Sequence, residues 1–260
     1  MGQTAVVMIG HSHLGAVIDA LGQRQPSSDI SNPIHYYVHD VWANNTQYAF
    51  PDGNGGVAFN QELLQTIHDI VIEDRQPRYI TFFGGNGHIV LALSKHPRPF
   101  DFVLPERPDL PLEADAEILP YSYISKILLQ QMGSYIWQLI AFRQAISRRC
   151  YCVETPPPCG DDQYLRTHLG TYVPDPGNVI GRDLRWKMWR LHSRLLREIC
   201  EANDIEFVAV PEAVCDENQF LNPKAYGIDA THGNAWYGEV LLSRFDELIG
   251  GHYAAWTRFV

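Results

Sequence analysis

The chain has 260 residues, enough to bury a sizeable core, and we expect one α/β domain over residues 1–260. A formal net charge of −10 argues against a general nucleic-acid-binding surface. No apolar run is long enough to span a bilayer, and the first predicted strand begins too early to leave room for a signal peptide. Five cysteines without metal-type spacing predict reduced thiols. We therefore expect a cytoplasmic protein that binds neither membranes nor nucleic acids.

The N-terminal stretch contains the first candidate functional residue. Residues 5–9 are small or β-branched and apolar, which predicts a buried strand that ends at Gly10. Ser12 then lies where helical spacing begins, at the carboxyl end of a strand and at a helix N-terminus that favours a developing negative charge. Ser12 is either a nucleophile or a helix N-cap, and this stretch alone favours the cap.

Strands and helices alternate along the chain. The predicted strands are residues 5–9, 34–38, 79–83, 150–153 and 205–210. Apolar residues at helical spacing predict helices near 14–21, 63–71, 124–146 and 184–199, followed by a terminal helix through Val240, Leu241 and Phe245. This alternation implies parallel pairing through right-handed crossovers. The sequence therefore predicts a three-layer α/β/α sandwich with a roughly five-stranded parallel sheet.

Two long segments without helical spacing follow predicted strands, at about residues 95–120 and 155–182, and the first is rich in proline. Long irregular segments in a domain are usually functional. We expect both to overhang the carboxyl edge of the sheet and to shape specificity, with walls from Phe100, Phe102, Tyr164 and Tyr172.

The helix near 184–199 carries a basic set of side chains. An anionic ligand is one interpretation, but a solvated face is the one we favour. The set comprises Arg182, Arg185, Lys187, Arg190, Arg194 and Arg197.

Polar residues follow three of the predicted strands. Ser12 follows the first, Asn86 the third, and Asp229 with His232 the fifth. In a parallel sheet these loops open on the same edge. An aspartate three residues before a histidine can fold back onto the imidazole, fix its tautomer and prepare it as a base for serine. Asn86, with backbone N–H groups of Ser12 and a glycine, would supply donors to an oxyanion.

Three short motifs in this order resemble the SGNH hydrolase superfamily, the GDSL-type esterases and lipases. Gly10-His11-Ser12 matches the first block, Gly84-Gly85-Asn86-Gly87 the third, and Asp229-Ala230-Thr231-His232 the last. The resemblance covers nearly the whole chain and implies a flavodoxin-like α/β/α fold without a metal or other cofactor. It implies Ser12 as nucleophile, His232 as base, Asp229 as its orienter, and an oxyanion hole of Ser12, Asn86 and one of Gly53, Gly55 and Gly56, of which we choose Gly56.

Departures from the motifs indicate a divergent member. His11 stands in place of the usual acid before the serine, Gly87 in place of the acid after the asparagine, and Gly233 in place of a common proline. None of them removes a catalytic role. His11 and His13 flank the serine and could contact substrate.

The sequence leads to a serine-dependent hydrolase of small acyl esters, with carbohydrate O-acetyl esters as one substrate class. Aromatic residues near the predicted site loops could stack on sugar rings, namely Tyr121, Tyr123, Tyr172 and Trp236. Three alternatives stay open: an acyltransferase, an inactive binding module on the same fold, and a metal-dependent amidohydrolase barrel that uses His11 and His13 as ligands.

Overall fold

The computed structural model of the chain describes residues 3–29, 31–40, 46–72, 77–169 and 178–260. Within these ranges the strands are β1 (Thr4–Gly10), β2 (Pro33–His39), β3 (Ala49–Pro51), β4 (Val57–Phe59), β5 (Arg78–Phe82), β6 (Phe100–Asp101), β7 (Glu117–Ile118), β8 (Cys150–Val153), β9 (Glu206–Val208) and β10 (His252–Phe259). The helices are α1 (Leu14–Leu21), α2 (Gln61–Ile70), α3 (Gly87–Ala92), α4 (Tyr121–Ala145), α5 (Asp162–His168), α6 (Arg182–Ala202) and α7 (Ala235–Ile249).

Six strands of the described part form the central sheet, in the order β10-β2-β1-β5-β8-β9. All neighbouring pairs are parallel, which confirms the predicted α/β class. The predicted count of about five is one strand short, because β10 was not foreseen. This strand lies at the edge of the sheet and buries only Tyr253 and Phe259, so its sequence lacks the continuous apolar run of a central strand.

Helices cover both faces of the sheet, and β1 shows why. Its alternate residues pack into two different cores: Val6 and Met8 face the side of α1 and α7, while Val7 and Ile9 face the side of α2, α4 and α6. A strand buried on both faces must be apolar throughout, as the run at residues 5–9 is. The three predicted layers are therefore present.

The order of connection places a crevice next to β1. The chain passes from β1 to β2 on one side and later returns to β5 on the other side. At such a switch point the loops that leave the two central strands diverge and leave a crevice at the carboxyl edge of the sheet, where open α/β sheets bind ligands. Ser12 follows β1 and Asn86 follows β5, so both lie at this crevice.

The helix α4 spans 25 residues and agrees with the helix predicted near 124–146. One side of it is buried against the sheet through Leu128, Met132, Leu139 and Phe142, whereas Trp137 on the other side is 62% exposed. Among the described residues no helix combines the length and the apolar character that crossing a bilayer requires.

The interpretation of α6 as a solvated basic face is wrong at two positions. Lys187 is buried, and its Nζ lies 2.5 Å from Oδ1 of the equally buried Asp101 in β6. Arg185 is also buried and binds Asp162 together with the carbonyl oxygens of Cys159 and Ile180. Periodicity in α6 did not reveal this, because the partners come from the two long segments that precede it in the chain, 95–120 and 155–182.

The Lys187–Asp101 pair attaches the proline-rich segment to α6. Asp101 also accepts hydrogen bonds from the backbone N–H groups of Phe102 and Glu113, and Lys187 donates to the Pro111 carbonyl oxygen. Segment 95–120 is therefore held down at several points. As predicted, it contains no helix, and its two short strands β6 and β7 pair in parallel.

We expect Lys187→Met to lower the free energy of unfolding by about 3–5 kcal/mol, because it leaves the Asp101 carboxylate buried without its counter-charge. Replacing both partners, as Lys187→Met with Asp101→Leu, should recover part of this loss, since no unpaired charge remains. Urea unfolding at neutral pH measures both. The matched control is Arg107→Met, which breaks the exposed pair with Asp109 and should change stability far less. Equal losses from Lys187→Met and Arg107→Met would contradict a buried-charge role.

Candidate active site

Ser12 lies in the turn between β1 and α1. Gly10 has a φ of +150°, and a Cβ there would lie 2.6 Å from Cβ of Phe82 in β5, so only glycine allows the two strands to approach so closely. The chain then turns into α1 through hydrogen bonds from the Leu14 and Gly15 N–H groups to the His11 and Ser12 carbonyl oxygens. The N-cap position of α1 is His13 rather than Ser12, and the Ser12 hydroxyl is free of a capping role.

A tight loop before α7 carries the aspartate and the histidine. The Asp229 carboxylate accepts hydrogen bonds from the backbone N–H groups of Thr231 and His232 and from the Thr231 hydroxyl. The Gly227 N–H closes the loop by donating to the His232 carbonyl oxygen, at 3.0 Å. These bonds fold the aspartate back onto the imidazole.

Ser12, His232 and Asp229 form a continuous line of hydrogen bonds. His232 Nε2 lies 2.7 Å from Ser12 Oγ, across 220 residues of chain, and His232 Nδ1 lies 2.8 Å from Asp229 Oδ2. Because the carboxylate only accepts, Nδ1 carries the proton and Nε2 is left to accept from the serine hydroxyl. The imidazole can therefore remove the proton of Ser12.

The Asp229 carboxylate is suited to this role at neutral pH. Burial alone would raise its pKa, but hydrogen bonds from His232 and Thr231, with the attraction of a charged His232, hold the pKa below its usual value. The side chain is 24% exposed, and that of His232 is 19% exposed, so the pair is shielded but reachable. Asp229 is thus ionised whenever His232 has to carry a positive charge.

Asn86 lies at the end of the β5 loop, as the N-cap residue of α3. Its side chain makes no capping bond, and its Oδ1 instead accepts from Nε2 of His13 at 2.5 Å. His13 also lies beside His232, with the two ring centroids 5.1 Å apart. Sequence reasoning had named His13 as a residue that flanks the serine and as a metal ligand in one alternative, because nothing in the pattern reveals a pairing across 73 positions.

The choice of Gly56 as an oxyanion donor is wrong. Its N–H donates to Asp52 Oδ1 at 2.8 Å, inside the turn that joins β3 to β4, and is therefore already used. The residue is exposed at the tip of this hairpin. The sequence placed it next to the following helix but could not show the hairpin. Among the described residues no hydrogen bond occupies the Ser12 N–H.

Two departures from the family motifs have a packing reason. A Cβ at Gly233 would lie 2.6 Å from the ring of Tyr237 on α7, so this position cannot hold a side chain without a shift. A Cβ at Gly87 would lie 3.2 Å from Met132 on α4. Both glycines let a loop that carries a candidate site residue lie close against a helix.

His11 and His13 do not converge on one point. His11 Nε2 pairs with Gln138 Oε1 on α4 at 2.6 Å, whereas His13 pairs with Asn86. Burial lowers the pKa of His11, and the bond to Gln138 opposes that shift only in part. Because the two side chains are held by different partners, they do not form a pair of metal ligands. The metal-dependent amidohydrolase alternative also needs a barrel, whereas the six-stranded sheet of the described residues is open.

The four aromatic residues predicted to wall the site take different positions. Phe102 is buried in the core and Tyr164 stacks on His168, while Tyr172 lies outside the described residues. Phe100 lines a groove of about 1040 Å³ along α4 together with Tyr123, which is half exposed. A narrower cleft of about 350 Å³ adjoins the loop of Asp229 and His232 and is lined by Thr231, Ala230, His88, Ile89 and Arg185 among others.

Comparison with known proteins finds matches among solved structures. No family model matches it. No protein of curated function matches it in sequence either.

Three solved structures illustrate the fold-level matches. A GDSL-like lipase from Bacteroides thetaiotaomicron is 13% identical, with 95% of this chain and 88% of that chain covered and a TM-score of 0.43. A carbohydrate acetylesterase from Sinorhizobium meliloti is 12% identical, with 95% and 99% covered and a TM-score of 0.41. A catalytic mutant of an acetylxylan esterase from Geobacillus stearothermophilus is 15% identical, with 96% of each chain covered and a TM-score of 0.40.

Proposed function

We propose that this chain is a serine hydrolase of the SGNH type that cleaves small acyl esters through an acyl-enzyme. The observation that supports it is the 2.7 Å distance from Ser12 Oγ to His232 Nε2, with the other nitrogen of the same ring held by Asp229. A binding module has no use for a serine hydroxyl aligned with an oriented base. The alignment is the one that acyl transfer to serine requires.

In the first half of the reaction His232 removes the proton of Ser12 while Oγ attacks the ester carbonyl carbon. The negative charge on the carbonyl oxygen is met by the Ser12 N–H, at the N-terminal end of α1, and by the side-chain amide of Asn86. His232 then gives the proton to the leaving alcohol. Asp229 stabilises the imidazolium that exists between these two steps.

In the second half a water molecule replaces the alcohol. His232 takes a proton from this water, the hydroxide attacks the acyl carbon, and the proton returns to Ser12 as the acid leaves. Ser12 is partly exposed, so water and a bulky alcohol group can both reach it. Carbohydrate O-acetyl esters, which combine a small acyl group with a large alcohol, are the substrate class we propose to test first.

An activated-serine probe tests the proposal directly. We expect a fluorophosphonate to label the protein at Ser12, with loss of label in Ser12→Ala and full labelling in Ser125→Ala, which removes a hydroxyl from α4 instead. A panel of 4-nitrophenyl esters from acetate to octanoate and of acetylated monosaccharides should show fastest turnover of the acetates. Absence of both label and ester cleavage would contradict the proposal, and transfer to an added alcohol in place of water would make the chain an acyltransferase.

Asp229→Asn is expected to lower kcat roughly 10⁴-fold, since an amide can donate to Nδ1 and so stabilise the wrong tautomer of His232. The asparagine keeps an oxygen for the loop N–H groups, so the fold should persist. Steady-state kinetics on an acetate ester measures the loss. Asp216→Asn is the matched control, because Asp216 also accepts two loop N–H groups but has no hydrogen bond to a histidine among the described residues. Full activity of Asp229→Asn would mean that another group orients the base.

A further inference from the structure

His13 is a buried histidine with one polar contact. It occupies the N-cap position of α1 and is 5% exposed. Its Nε2 lies 2.5 Å from Oδ1 of Asn86, and its Nδ1 has no hydrogen-bond partner among the described residues. Within the described part of the chain, this contact is therefore the one polar interaction that fixes the ring.

The chemistry of the contact fixes the proton on His13. An amide oxygen only accepts hydrogen bonds, so Nε2 must carry the hydrogen and Nδ1 keeps a lone pair. The reversed arrangement, with the Asn86 amide rotated to donate to Nε2, would place an N–H at the buried Nδ1 with nothing to receive it. Buried donors without a partner are rarer than buried acceptors without one.

The amide of Asn86 has no second anchor. It makes no capping bond to α3, and the bond from His13 is the side-chain contact found for it in the described structure. Without that bond the two ends of the amide could exchange by rotation. The end that faces the reacting oxygen would then be Oδ1 in part of the molecules, which repels an oxyanion instead of stabilising it.

We propose that His13 is a positioning residue that holds Oδ1 of Asn86, so that the Nδ2 donor of the same amide faces the oxyanion formed at Ser12. This inference rests on the proposed function. It gives His13 a role in the oxyanion hole, and not in substrate contact or metal binding. His13 acts through Asn86 and touches neither the substrate nor the reacting atoms.

His13 lies beside the proposed base His232, so the charge on His13 affects the imidazolium that His232 forms. Burial, with a smaller contribution from repulsion by His232, lowers the pKa of His13 to about 3. The two ring centroids are 5.1 Å apart. A charged His13 would oppose the imidazolium that His232 forms during the reaction, whereas a neutral ring donates to Asn86 without that cost.

A double-mutant cycle between His13→Leu and Asn86→Ala tests the inference. We expect Asn86→Ala to lower kcat roughly 10²–10³-fold with a smaller effect on KM. His13→Leu should lower kcat by about 10-fold or more, again with little change in KM, and should cause no further loss once Asn86 is alanine. His13→Gln, whose amide can donate to Asn86 Oδ1, should restore most of kcat.

The control cycle pairs His11→Leu with Asn86→Ala. His11 flanks the serine equally closely but binds Gln138, so its effect should multiply with that of Asn86→Ala. If the effects of His13→Leu and Asn86→Ala also multiply, the inference is overturned while the proposed function stands. If Ser12→Ala keeps full activity, the proposed function itself fails. If His13→Leu does not fold, the cycle is run with His13→Gln and His13→Asn instead. The inference is overturned if both variants lose kcat and if each loss multiplies with that of Asn86→Ala.

Discussion

Ser12→Ala and His232→Ala are each expected to lower kcat for ester hydrolysis roughly 10⁴–10⁶-fold, and the double variant should be no slower than the slower single variant. The reason is that the two side chains act as one unit. A serine without a base is a poor nucleophile, and a base without the serine has no hydroxyl to activate. The residual rate reflects the oxyanion donors and substrate binding alone.

The fold should survive both changes. The Ser12 hydroxyl contacts His232 and caps no helix, so alanine removes no structural hydrogen bond of α1. His232→Ala leaves the backbone bond from the His232 N–H to Asp229 in place. Melting temperatures close to that of the parent protein are therefore expected, and they separate a chemical loss from an unfolded sample.

Matched controls use the same substitutions away from the crevice. Ser125→Ala removes a hydroxyl that donates within α4, and His68→Ala removes an exposed imidazole on α2. Neither should change kcat. Losses from Ser12→Ala and His232→Ala that multiply in the double variant would mean that the two residues do not act on the same step.

The sequence located the candidate site because strand ends are readable from it. Buried parallel strands are continuous apolar runs, so their carboxyl ends can be counted along the chain. Parallel pairing then brings these ends to one edge whatever their separation in sequence. That reasoning, with the family motifs, brought Ser12, Asn86 and His232 to one edge without any knowledge of contacts.

The remaining features depend on contacts between distant segments, which periodicity does not encode. Lys187 looks like a solvated residue on α6 until the proline-rich segment brings Asp101 over it. Gly56 looks available until the hairpin turn shows its N–H bound to Asp52. The His13–Asn86 bond likewise needs the register of β1 against β5, which places the two loops side by side.

Acidification is expected to destabilise the fold steeply between about pH 6.5 and 4, because several histidines are buried in the neutral form. Burial lowers the pKa of His13 to about 3 and that of His192 to about 4, and it lowers the pKa of His88 well below its usual value. All three side chains are buried. None of them has an acidic partner among its hydrogen bonds in the described structure.

The sign follows from where the protons bind. Above about pH 6.5 these histidines are neutral in both states, so their full contribution to stability is present. As the pH falls below that value, the histidines of the unfolded chain bind protons, whereas those of the folded chain stay neutral until the pH reaches their lowered pKa. The unfolded state is therefore favoured, and the free energy of unfolding falls. Burial raises the pKa of Glu154, which works in the opposite direction, but it is one group, and burial also lowers the pKa of His11, His35 and His39.

His13 and His192, whose pKa values are lowered to about 3 and about 4, should each cost about 2 kcal/mol of stability at pH 5 relative to neutral pH, and His88 should add to this loss. Urea unfolding at pH 7.5 and at pH 5 measures this difference. His88→Leu isolates one of the three: both ring nitrogens of His88 lack partners among the described residues, so leucine removes a protonation site without removing a hydrogen bond. We expect this variant to lose less stability than the parent between pH 7.5 and pH 5, whereas the exposed control His68→Leu loses as much as the parent. An unchanged pH dependence in His88→Leu would show that His88 is protonated equally in the folded and unfolded chain.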